Sequence, residues 1–504
     1  MTDRLRAVTD LHVATARELA GLHDYDGQIQ DLSVEGVRAG LAAIETAGKS
    51  GKLADAHDEA QLAAAERSTA VEFGELQMHR RNPLYHQANL DLTGYEREYA
   101  PQPERDQARL RHLALWPEAV DIAVRTLDQV PAPVAASTVG AARGLVADLD
   151  ASRSETEAKA VEAHARLIAH LQKVAEEGPQ ETALGGPALA RLLSTSEAVD
   201  LDLDDLSKRA DAERIRLQEM LTEAVGRLLP GTPVPEAVHR LLTDHPDPDG
   251  VIAEATAQTA EVLAWTREHD FAPTDAECFV RPSPPPYRWS VASLSPVAAY
   301  EPISPSFYNI TPPDVEWPAD EQAEWLSMFS RTTLPAITIH EVAPGHFSHF
   351  LSMQQLTSDV RKSLHSEAFI EGWAHYCEEM ALEEGFRDGD AHYAAGVAIE
   401  GLVRVTRLAM AIALHTGAAT VEEAAAEFTK HAYLQGPAAL SEARRGTFDP
   451  TYGRYTWGKL EILRLREKAR QAWGAEFSLP RFHRELLALG SPPLGLMSDV
   501  LADA

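Results

Sequence analysis

The sequence predicts a mainly α-helical fold, on three observations. Segments 34–47, 155–175, 206–229 and 321–329 place apolar residues three and four apart among Glu, Lys, Arg and Ala, the spacing that gathers them on one helical face. Period-two runs rich in β-branched residues, the mark of half-buried strands, are scarce. The chain has 504 residues, 44% apolar and 24% charged, which is an ordinary globular composition able to bury a large core.

Taken in chain order, 1–280 reads as a large helical N-terminal region. The main break in composition is Arg281-Pro-Ser-Pro-Pro-Pro-Tyr287, continued by Glu301-Pro-Ile-Ser-Pro305. Proline this dense opposes helix and favours extended chain, so 281–318 is expected to be a long irregular connection. A plain linker is the commoner role of such a stretch. With Tyr300, Tyr308 and Asn309 in it, the sharper reading is an ordered segment that crosses a cleft and offers backbone groups to an extended substrate. Residues 334–339, Leu-Pro-Ala-Ile-Thr-Ile, fit either a short strand or the first turns of a helix; Pro335 suits a first turn, so helix is expected. Region 281–504 is expected to be the metal-binding catalytic region, packed with 1–280 as one unit around the cleft.

The most informative run is His340-Glu341-Val-Ala-Pro344-Gly345-His346, followed by Phe369-Ile-Glu371-Gly-Trp373-Ala374. A catalytic zinc takes three imidazole or carboxylate ligands and keeps one position open for water. His340, His346 and Glu371 supply that set. Glu341, tethered to a ligand but pointing elsewhere, can take the proton of the attacking water and pass it to a leaving amine. In an unbroken helix, however, a residue six positions on is turned by roughly 240°, away from a shared ion. Pro344 lacks the N–H for the His340 carbonyl and Gly345 has wide backbone freedom. The pair is therefore expected to distort the helix and swing His346 back toward His340.

Other residues near these motifs have candidate roles with plain alternatives. Glu367, four residues before Glu371, suits hydrogen bonding to one of the imidazoles, and His349 suits a supporting or structural place. His375 also shares a face with Glu371 and is left outside the ligand set. Tyr455 can donate to a developing oxyanion or be a core tyrosine. Arg404, Arg407, Arg445 and Lys459 can clamp a substrate carboxylate; salt bridging among abundant acids competes for each of them.

These motifs, with Tyr455-Thr-Trp-Gly458-Lys459-Leu460, resemble the bacterial proteins catalogued as domain of unknown function 885. Arg404-Val-Thr-Arg407 with Leu414-His415, and Arg444-Arg445-Gly-Thr-Phe-Asp449-Pro450, are similar to further segments of that family. The likeness is strong over roughly 295–480 of this chain. Family members often carry a second histidine where this chain has Phe347, and Asp where it has Ala411. The resemblance implies a multi-helical, zincin-like (gluzincin-type) metallopeptidase with His340, His346 and Glu371 as zinc ligands and Glu341 as general base.

The expected activity is zinc-dependent hydrolysis of peptide bonds in short peptides or peptide-like amides. The alternatives are an amidohydrolase of a small metabolite and a non-catalytic metal or peptide binder. Manganese or cobalt suits the same donors as zinc. The formal charge of −31, from 77 acidic against 46 basic residues, argues against nucleic acid or an anionic membrane as partner. With only Cys278 and Cys377, and no apolar run of signal or membrane-spanning length, the expected setting is cytoplasmic.

Overall fold

The computed structural model describes residues 1–284, 288 and 290–501. It is mainly helical, with about 20 helices and, among the described residues, a single small three-stranded sheet. The helices expected at 34–47, 155–175, 206–229 and 321–329 are observed at Val34–Ala47, Glu155–Glu177, Leu203–Leu228 and Ala319–Ser327. Their starts are marked by side chains that accept otherwise unpaired backbone N–H groups: Ser33 from Gly36, Ser154 from Glu157, and Asp202 from Asp204 and Asp205.

The chain divides into two compact units. The first comprises 1–199, 297–304 and 354–365. Its core includes Leu5, Val8, Leu11, Ile44, Leu62 and Val360, and the long helix Glu155–Glu177 packs on both Gln102–Thr126 and Ala132–Gly144.

The second unit comprises 200–296, 305–353 and 366–504. Its elements used below are helix α1 (Leu203–Leu228), helix α2 (Pro248–Glu268), strands β1 (Cys278–Pro282), β2 (Ala292–Ser295) and β3 (Ser306–Ile310), and helices α3 (Leu334–Glu341), α4 (His346–Met353), α5 (Glu367–Glu383), α6 (Ala391–Thr416) and α7 (Arg454–Trp473). Residues 334–339 are helical, as Pro335 in the first turn suggests. Helix α1 lies along α6 and α5 along α7, while the sheet packs on α2 and α3.

The proline-rich stretch is not wholly irregular. Strand β3 is central, parallel to β1 (Tyr308 opposite Val280) and antiparallel to β2 (Tyr308 opposite Leu294). Proline withholds a ladder N–H, so strands survive where it is confined to their ends. Pro282 closes β1, Pro296 follows β2 and Pro305 precedes β3, while the Ser-Phe-Tyr-Asn-Ile interior of β3 favours strand. Residues 285–287 and 289 of that run lie outside the described residues.

Helices α5 and α7 meet at Gly372 and Gly458, where a side chain on either would occupy the backbone of the other helix. A Cβ on Gly458 would also run into the Ala368 carbonyl. Gly458→Ala is therefore expected to cost about 1–3 kcal/mol or more of stability by forcing the helices apart, read as a lower urea midpoint at an unchanged slope.

Candidate metal centre

The local chain path explains why two histidines six apart meet. Helix α3 ends at Glu341, where Val342 leaves helical angles (φ −108°, ψ −95°), and α4 begins at His346. Between them the Ala343–Pro344 peptide is cis. The Gly345 N–H bonds back to the Ile339 carbonyl at 3.2 Å, and a Cβ at Gly345 would collide with the His340 carbonyl oxygen. The Pro344 carbonyl accepts from the Trp373 indole at 2.9 Å. The expected approach of the imidazoles is observed, with ring centroids 4.6 Å apart, but the helix is interrupted outright and not merely distorted.

Helix α5 brings the carboxylate. Its start is capped by Ser366, which accepts from the Phe369 N–H, and Glu371 follows on the face toward α3. Glu371 Oε2 lies 3.3 Å from both His340 Nε2 and His346 Nε2. One donor atom from each of the three residues falls within 4.8 Å of the others, so the group could hold a metal ion. The fit is supported by chemistry: two imidazole nitrogens and one carboxylate converge, and the shared Oε2 is buried without hydrogen-bond alignment to either ring. Burial pushes the Glu371 carboxyl up, and the two imidazoles outweigh it and hold it well below the usual range. Burial likewise works to lower His340, but Glu371 and Glu378 reverse this and bring it up to about 9.

Glu341 is 7% exposed, and its Oε2 has no hydrogen-bond partner among the described residues. Burial raises its carboxyl above the ordinary range, against the opposing pull of His346 and His340. A carboxylate with one oxygen left without a donor and made more basic by burial is suited to accepting a proton. Tyr455 stands beside His340 in the same unit, the two rings parallel within 25° with centroids 6.3 Å apart. The guanidinium groups of Arg407, Arg454 and Arg404 lie 5.3, 5.7 and 5.9 Å from the tyrosine ring centre.

Several candidate residues take other places. Glu367 is on neither imidazole; its side chain is 68% exposed and pairs with Arg454 at 3.3 Å. The carboxylate on His340 Nδ1 is Glu378, at 2.7 Å, two turns past Glu371. The repeat of Glu at seven residues on one helical face was its sequence signal. His349 places Nε2 on Ser491 at 3.1 Å and its ring edge-on to Phe369. Among the four candidate cations, Arg404 bonds Glu378 and Glu400, and Arg407 is bidentate on Glu442 at 2.8 Å for both bonds. Arg445 stacks on Tyr452 with Asp449 at 3.6 Å, and Lys459 is enclosed by Glu213 and Glu379 at 2.9 and 2.5 Å. All four are matched by acids, the competing role anticipated for each. Tyr308 is fully buried on β3, and Tyr300 belongs to the first unit, where its hydroxyl donates to Asp359 at 2.8 Å.

The fold and the site together define a mainly helical protein with a buried His/His/Glu group able to hold a metal. The chain belongs to the family described as bacterial protein of unknown function (DUF885), which matches residues 15–501. Two solved structures share the fold over almost the whole chain. One is a candidate lipoprotein of unknown function from Shewanella oneidensis, with 20% identity, TM-score 0.78 and 99% of each chain covered. The other is a candidate lipoprotein from Colwellia psychrerythraea, with 17% identity, TM-score 0.77, and 99% of this chain and 97% of that one covered. No curated protein matches the chain. No described helix is long and apolar enough to cross a membrane.

Proposed function

We propose that the chain is a zinc-dependent metallopeptidase acting on short peptides or peptide-like amides. The observation that carries this reading is Glu341: a buried carboxylate with a partnerless oxygen, next in sequence to His340 of the His340/His346/Glu371 group. A site that only stores a metal needs no such base. When bound, zinc supplies an acidified water and a polarised carbonyl. Glu341 accepts the proton of the attacking water and returns it to the leaving amine. In this reading Tyr455, whose ring stacks on that of His340, donates its hydroxyl to the oxygen that gains charge. Because the neighbouring cations are already matched by acids, the geometry offers no spare clamp for a substrate carboxylate among the four candidates. The lipoprotein names of the two similar structures favour a setting outside the cytoplasm, against the expectation from cysteine content.

The test is metal content of the purified protein beside His340→Ala, then a mixed peptide library read by mass spectrometry with and without chelator. One equivalent of zinc, lost in the variant, with chelator-sensitive cleavage, is the expected result. Stoichiometric zinc with no peptide cleaved overturns the peptidase reading in favour of a small-molecule amidohydrolase.

A further inference from the structure

The two imidazoles of the metal group are supported very differently from behind. Glu378 is fully buried, at 0% exposure, and receives three donors: His340 Nδ1 at 2.7 Å, His375 Nδ1 at 3.2 Å and Arg404 Nη1 at 3.2 Å. Arg404 is itself held by Glu400 at 3.1 Å, and the Tyr393 hydroxyl donates to the Glu378 backbone carbonyl at 2.8 Å. The carboxylate is thus fixed at both ends. By contrast, Nδ1 of His346 is buried with no hydrogen-bond partner among the described residues. A carboxylate on one ring nitrogen fixes the proton there, directs the lone pair of the other nitrogen outward and stops the ring from turning. His340 has that support and His346 lacks it.

We propose that Glu378 is a positioning residue that presets His340, and His340 alone, for metal binding. The metal site is therefore built on one imidazole held from behind by a carboxylate and one whose rear nitrogen has no such partner among the described residues. The inference rests on the reading of His340, His346 and Glu371 as a metal group. Arg404 and His375 serve it by keeping the Glu378 carboxylate in place, which also explains why an arginine so near the site is turned away from substrate.

A double-mutant cycle read by zinc affinity, through competition with a chromophoric chelator, tests this without any assay of turnover. Wild-type protein is titrated first. Glu378→Gln is expected to weaken zinc binding by about tenfold to a hundredfold in the wild-type background. The same loss is expected in the His346→Ala background, and no further loss in the His340→Ala background, because Glu378 acts only through His340. Urea unfolding of each metal-free variant monitors the fold. If Glu378→Gln does not fold, Glu378→Asp keeps the charge for Arg404 while drawing the carboxylate back from His340, and the same pattern is expected at smaller amplitude. Loss of equal size in the His340→Ala background overturns the proposal, as does an unchanged affinity in the wild-type background. Wild-type protein that takes up no zinc overturns the metal reading and this proposal with it, whereas those two outcomes overturn this proposal alone.

Discussion

Glu341→Gln is expected to lower turnover of any peptide the wild type cleaves by about a hundredfold to ten-thousandfold, while zinc content stays unchanged. The amide keeps the shape of the carboxylate but cannot accept a proton. Glu341 sits 7% exposed with one oxygen unbonded, so little in the surrounding structure depends on its charge. Burial already disfavours its ionised form, which means that a neutral replacement is expected to unfold at the same urea concentration as the wild type or a higher one. Metal analysis, urea unfolding and steady-state rates on one preparation separate these quantities. A loss of less than tenfold in turnover would remove Glu341 as the general base.

Lys459→Met is expected to be the most destabilising single change, at about 3–5 kcal/mol, because it removes one partner from a buried ionic cluster. Lys459 is 0% exposed and joins Glu213 of α1 to Glu379 of α5, with Arg216 bonded to both carboxylates. Without the ammonium, two buried carboxylates face one arginine. The effect has a pH signature. Burial works to raise the Glu379 carboxyl, and Lys459 and Arg216 outweigh it, bringing it down to about 2. A lowered folded-state value gives stability that is present above the unfolded carboxyl value of about 4.3 and is lost as pH falls toward 2. The difference between wild type and variant is therefore expected to be full at pH 7 and to shrink below pH 4, when protonation relieves the unpaired acids. Urea unfolding at pH 7, 5 and 3.5 reads it. A difference that does not change with pH would mean that lost packing, and not charge, is what the substitution costs.

The motifs were legible in the sequence because each of their residues has a local structural task as well as a chemical one. Gly345 crosses the His340 carbonyl, Trp373 holds the Pro344 carbonyl, Gly372 meets Gly458, and Tyr455 lies over His340. Such tasks demand specific residue types at fixed spacing, and fixed spacing is what a sequence displays. The helices were legible for a similar reason, since caps and periodic apolar faces are properties of short segments. The three strands were harder to see: they are four or five residues long and lie among prolines, and their pairing joins segments up to 28 positions apart.

Charge partners were the least legible part. Glu367 and Glu378 share the face of α5 that carries Glu371, and spacing along one helix cannot tell which of them meets a ring belonging to another. Arg404, Arg407, Arg445 and Lys459 likewise look alike as cations near a site, and only the folded structure shows which distant acids hold three of them: Glu378 for Arg404, Glu442 for Arg407, and Glu213 with Glu379 for Lys459. The sequence by itself determined a mainly helical chain and the identities of the two histidines and the glutamate that could hold a metal, because residue type and local backbone preference are written in consecutive residues. Only the tertiary structure decided that the helix stops to bring His346 round, that Glu378 stands behind His340, and that the cations are spent on the fold, because a hydrogen bond or ion pair depends on where separate helices come to lie.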